Sequence, residues 1–73
     1  MNLLTIAKLN DETYARQLLN YPTYDEALTA LYTSLASAIA NKNVSSYTAE
    51  LITDEGRVAK CERYVKATTL KEV

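Results

Sequence analysis

The 73-residue chain has no histidine, tryptophan or phenylalanine, and only one cysteine, one glycine and one proline. Each scarcity removes a class of explanation. Cys61, being alone, cannot close an intrachain disulfide, and without histidine the usual zinc ligand sets cannot be assembled. The same lack removes Ser-His-Asp and Cys-His constellations and the commonest general acid/base, so no catalytic residue, cofactor or metal ligand is assigned. The longest apolar-rich stretch, Leu28 to Ala40, is interrupted by Thr29, Thr33, Ser34 and Ser37. It falls well short of the ~20 apolar residues a membrane helix needs. Met1 to Lys8 offers neither a basic region nor a long apolar run of the signal-peptide kind, and the expectation is a cytoplasmic protein that does not enter a membrane. Asn43-Val44-Ser45 matches a glycosylation sequon, with no secretion signal to support it.

A chain of this length has room for one domain, and a core of that size rarely supplies more than about 3–5 kcal/mol. Disulfides and metals being absent from the inventory, self-association is the expected reinforcement. Net charge is −1, too little for a whole-molecule field. The distribution is uneven: residues 1–56 hold three cations against seven acids, net −4, and residues 57–73 five cations against two acids, net +3.

The sparse punctuation locates the elements. Thr23 followed three residues later by Glu26 forms a capping box, and Asp25 places favourable charge in a first helical turn. Tyr24, Ala27, Leu28, Leu31, Leu35, Ala38 and Ile39 then recur at helical spacing, predicting a helix over 24–41. Asn41-Lys42-Asn43 supplies a basic residue and a left-handed-tolerant Asn at its end. Downstream, Val44 to Thr53 and Arg57 to Ala67 are rich in Val, Ile, Thr and Tyr around Asp54-Glu55-Gly56, a hairpin with glycine in its turn. Upstream, Leu3 to Asn10 and Thr13 to Leu19 flank Asp11-Glu12 and form a first hairpin without one. The expected fold is α+β: ββαββ, one helix packed on a four-stranded antiparallel sheet, over a single domain 1–67 with a short tail 68–73.

Alternation assigns the faces. Leu3, Ala7 and Leu9, Tyr47, Ala49 and Leu51, and Ala59, Cys61 and Val65 would lie under the helix, with Arg63 as an awkward member. Leu4, Ile6, Ile52, Val58 and Tyr64 would then form an apolar patch on the far face, the candidate interface. Cys61 is expected to be a small buried hydrophobe; beside Arg63 in an open setting it would instead be a reactive thiol. The acidic pairs Asp11-Glu12, Asp25-Glu26 and Asp54-Glu55 could serve Mg²⁺, but turns and a helix start explain them. Tyr64 with Lys60, Arg63 and Lys66 could stack on single-stranded bases while holding phosphates, although Glu62 interrupts the cations.

The run Tyr24-Asp25-Glu26-Ala27-Leu28, the helix end Leu35 to Asn41, and the hairpin Asp54 to Val58 with Glu62 to Val65 resemble small uncharacterised proteins encoded by phages and mobile elements of gut anaerobic bacteria. The resemblance covers residues 3–67. It implies a compact accessory protein of the kind that binds and blocks or redirects another protein, anti-CRISPR inhibitors being one example, with no activity carried over residue by residue. The expectation is a non-enzymatic protein-interaction module, homodimeric, with an unidentified protein partner. A single-stranded nucleic-acid binder and a minimal histidine-free nuclease or toxin are the alternatives.

Overall fold

Thr23 sets the start of the helix. In the computed structural model, which describes residues 1–66, Thr23 has extended backbone angles and its Oγ1 accepts a hydrogen bond from the Glu26 N–H at 3.2 Å. The Thr23 hydroxyl in turn lies 3.4 Å from the Glu26 carboxylate, which engages that group instead of the backbone amide of a complete capping box. The helix, α1, runs Tyr24–Ala40 and buries Ala27, Leu31 and Ala38, with Leu28 and Leu35 half-buried. Tyr24 and Ile39, expected on the same stripe, lie at the two ends of the helix and are exposed.

The helix ends differently from the expectation. Asn41 is extended rather than left-handed, its N–H donating to the Ala38 carbonyl and its Oδ1 accepting from the Asn43 N–H at 2.9 Å. No basic residue occupies the last turn. The cation there is Lys66, whose Nζ donates to the Ile39 carbonyl at 2.7 Å. The last carbonyls of a helix lack intrahelical donors and carry partial negative charge, so a lysine brought from elsewhere in the fold serves where Lys42 was expected to.

Four antiparallel strands, β1 (Asn2–Leu9), β2 (Tyr14–Asn20), β3 (Val44–Ile52) and β4 (Val58–Val65), form one sheet in the order β2-β1-β3-β4. The fold is therefore the expected ββαββ arrangement. Residues 67–73, which hold the expected domain end and tail, lie outside the described residues.

Both hairpin loops share one hydrogen-bond pattern. Leu9 N–H donates to Thr13 O and Glu12 N–H to Leu9 O; Thr53 N–H donates to Arg57 O and Gly56 N–H to Thr53 O. The fourth residue of each is left-handed, Glu12 at φ 74° and Gly56 at φ 92°. The first hairpin thus places an ordinary L-residue where the second uses glycine. Asp11 eases this by accepting from both the Thr13 N–H at 3.1 Å and the Thr13 hydroxyl at 2.6 Å.

A register shift between Leu51 and Ile52 decides which way β4 faces. Ile52 pairs with Val58, but Leu51 pairs with Lys60, so Ala59 is an extra residue in the ladder. A slip of one residue sends every later side chain to the opposite face. The even-numbered residues Lys60, Glu62 and Tyr64 therefore lie on the helix side, opposite Leu51, Ala49 and Tyr47, and Cys61, Arg63 and Val65 on the open side. This corrects the expected facing of β4. Cys61 is exposed, and Tyr64 does not belong to the far-face patch.

The core is built from Leu3, Ala7, Tyr47, Ala49 and Leu51 of the sheet against Ala27, Leu31 and Ala38 of the helix, with Val44 at the entrance to β3. Among the described residues Thr5 is the buried polar member. The helix packs on β3 and to a smaller extent on β1 and β4. All seven residues of β2 are exposed.

Candidate interaction surface

The face turned away from the helix follows from the register. Reading across β2, β1, β3 and β4, its rows are Asn20, Asn2, Ile52 and Val58, then Leu18, Leu4, Glu50 and Cys61. The next two are Arg16, Ile6, Thr48 and Arg63, then Tyr14, Lys8, Ser46 and Val65. Among the described residues no element covers this face, since α1 lies on the other side. Leu4, Ile6 and Ile52, three of the predicted interface residues, are half-buried by their sheet neighbours, and Val58 is 56% exposed. Leu18, which the sequence reading left out, pairs with Leu4 and is 63% exposed, enlarging the patch towards β2. Its strand neighbours Arg16 and Gln17 disguise it in the sequence; the cross-strand pairing with Leu4 is the signal that places it.

Charged groups rim the patch. Arg16 lies over the Tyr14 ring, 5.2 Å from its centroid, and Arg63 stands across from Thr48. Cys61 Sγ lies 3.7 Å from Glu50 Oε2. Partial desolvation by the sheet, and then the Glu50 carboxylate, push the thiol above its ordinary pKa, and Arg63 only partly opposes them. The shift runs against the reactive-thiolate reading, which needed Arg63 to lower the thiol's pKa.

The four residues considered for nucleic acid do not share a surface. Lys60 and Tyr64 lie on the helix side and Arg63 on the open side. Lys60 pairs with Glu62 at 3.6 Å and sits over the Tyr32 ring at 5.9 Å; contact with Tyr32 first, then Glu62, raises its pKa. The Tyr32 hydroxyl donates to Glu62 Oε2 at 3.0 Å, so this cluster fastens α1 to β4. Lys66 lies over the Tyr64 ring at 5.8 Å and holds the helix end.

The acidic pairs remain apart as well. Asp11-Glu12 lies in the loop at the C-terminal end of α1, whereas Asp25-Glu26 and Asp54-Glu55 lie at the other end of the sheet. Among the described residues no three His, Cys, Asp or Glu side chains gather as a metal site, and no helix is long and apolar enough to cross a membrane. On the helix side, a groove of about 410 Å³ runs between α1 and β2, lined by Ala7, Ala15, Ser34, Ala38 and Tyr47 among others. No protein-family model, curated protein or solved structure matches this chain.

Proposed function

We propose that this chain is a non-enzymatic protein-interaction module, homodimeric and cytoplasmic, that serves a phage or other mobile element by binding another protein and blocking or redirecting it. The observation that carries the reading is the open sheet face. Leu18, Leu4 and Ile6 on β2 and β1, and Ile52 and Val58 on β3 and β4, place apolar side chains on a face that no described element covers, with Asn2 and Glu50 between the two groups. Exposed apolar side chains interspersed with polar and charged ones are the usual composition of a non-obligate protein-binding surface. The polar clusters elsewhere have local structural work, in loop geometry, helix capping or helix-to-strand fastening, and among the described residues leave no convergent set of groups for a reaction.

Affinity-tagged parent protein and an Ile6→Lys variant, each expressed in the native host, test this. The expected result is a stoichiometric host or element protein that co-purifies with the parent and is lost with Ile6→Lys, because a charge placed in the contact must be desolvated unpaired. Equal recovery with both proteins, or no stoichiometric companion, overturns the face as the binding site. Retardation of single-stranded DNA or RNA by the parent at low salt, released at high salt, would instead support the nucleic-acid reading.

A further inference from the structure

We infer that β2 is a self-complementary edge, through which two copies of the chain join their sheets about a two-fold axis at Gln17. This rests on the homodimeric reading above and specifies its contact. Met1 N–H and Tyr21 N–H each donate to the other residue's carbonyl, and Leu9 N–H donates to Thr13 O. Hydrogen-bonded pairs alternate along an antiparallel ladder, so the odd-numbered residues of β2 turn their backbone groups to β1. Tyr14, Arg16, Leu18 and Asn20 turn theirs to the open edge.

With the axis at Gln17, the whole of β2 overlaps its copy. Tyr14 falls opposite the partner's Asn20 and Arg16 opposite the partner's Leu18. Every outward N–H and C=O then meets a hydrogen-bonding position, giving about eight backbone bonds. Shifting the axis to Leu18 brings Tyr14 against Pro22, which has no N–H, and shifting it to Arg16 sets the two arginines face to face.

The side chains agree with the central register. On the open face the two Leu18 side chains lie diagonally across the axis, bringing the Leu4–Leu18 row of one copy towards that of the other. Arg16 leans along its own strand onto Tyr14, away from the axis, so the two guanidinium groups diverge. On the helix face Ala15, which lines the groove beside α1, falls opposite the partner's Leu19, a residue that is 40% exposed in the single chain. The edge has none of the usual protections. It holds no proline, glycine or bulge, carries one charged residue, and lies outside the helix cover. The opposite edge, β4, has the bulge at Ala59 and the charges of Lys60, Glu62 and Arg63.

Light scattering on the intact chain across a wide concentration range should show a mass twice 8.2 kDa. Leu18→Pro removes only an outward N–H, leaving the β1–β2 ladder its bonds, and should give a folded monomer. Should that variant unfold, a cysteine decides the matter. Gln17→Cys, made with Cys61→Ser, places two thiols at a non-hydrogen-bonded pair with Cα atoms about 4.5 Å apart, within reach of a disulfide. It should cross-link fully under mild oxidation. Ala15→Cys in the same background should not, its two copies standing about 13 Å apart along the strand. A parent that is monomeric throughout overturns both the dimer and this contact. A dimer in which Gln17→Cys fails to cross-link, or Ala15→Cys cross-links as well, overturns the contact and leaves the dimer standing.

Discussion

Glu12 is the residue most at odds with its position. Its left-handed backbone costs an L-residue roughly 1 kcal/mol that glycine would not incur. Its exposed pair with Lys8, at 3.6 Å, returns little. Glu12→Gly should therefore raise stability by ~0.5–1 kcal/mol in urea denaturation. The matching loop offers the reverse experiment. A Cβ at Gly56 would meet nothing within 4 Å, yet the positive φ remains, so Gly56→Ala should lower stability by ~1 kcal/mol through the backbone alone. Equal effects of opposite sign would show that the left-handed position carries the same backbone cost in both loops.

Asp11 gives the same loop a pH dependence. The Thr13 hydroxyl first, and then the Thr13 N–H, hold its carboxylate below the ordinary value of 3.8. A depressed carboxyl contributes stability that is present above the unfolded value and lost as pH falls through the folded one. The loss should begin below about pH 4. Asp11→Asn should flatten that part of the acid unfolding curve while leaving stability near neutrality less affected by pH.

At the scale of elements, the helix was the most legible part of the chain. Its start is written locally, in Thr23, Asp25 and Glu26, and its stripe in the spacing of Ala27, Leu31 and Ala38. Thr23→Ala should cost ~1 kcal/mol by orphaning the Glu26 amide. Leu31, fully buried, should cost about 2–5 kcal/mol on truncation to alanine. Leu35→Ala, half-buried, should cost less, on the order of 1–2 kcal/mol. Its far end was not legible. The cation that closes it is Lys66, 27 residues away from the carbonyl it holds, and no local window brings the two together. Lys66→Met should destabilise the protein by ~1 kcal/mol and raise hydrogen exchange in the last helical turn.

The strands show the same division. Their existence follows from β-branched and aromatic runs, and their pairing in hairpins from short turns. The face of β4 does not follow, because the Ala59 bulge makes even and odd residues trade places, and nothing in Val58 to Val65 announces it. That single slip explains why Cys61 was expected inside and Tyr64 outside. It also breaks up the basic cluster by sending Arg63 to one side and Lys60 and Tyr64 to the other. Leu4, Ile6 and Ile52 were placed correctly because β1 and β3 keep an unbroken register between Asn2 and Lys8.

For the whole molecule, the two sheet edges differ in kind. β4 is tied to the helix by Tyr32 and Glu62, interrupted by a bulge and dressed with charge. β2 touches mainly β1 and is exposed along its length. In the single chain, β2 amides should therefore exchange with solvent well before those of β1 and β3, and concentration-dependent protection of Arg16 and Leu18 would report edge pairing directly.

The protected β4 edge has a consequence for growth. A strand that adds to its own copy through one edge uses that edge up, and further addition would need the opposite one. A bulge and a row of charges deny a flat template there. In the language of bonding, a molecule that pairs through β2 as proposed has a valence of one: the pairing closes on a dimer, and β4 offers no second flat edge for extending it. Straightening β4 by deleting Ala59 and neutralising Lys60 and Arg63 would raise that valence to two.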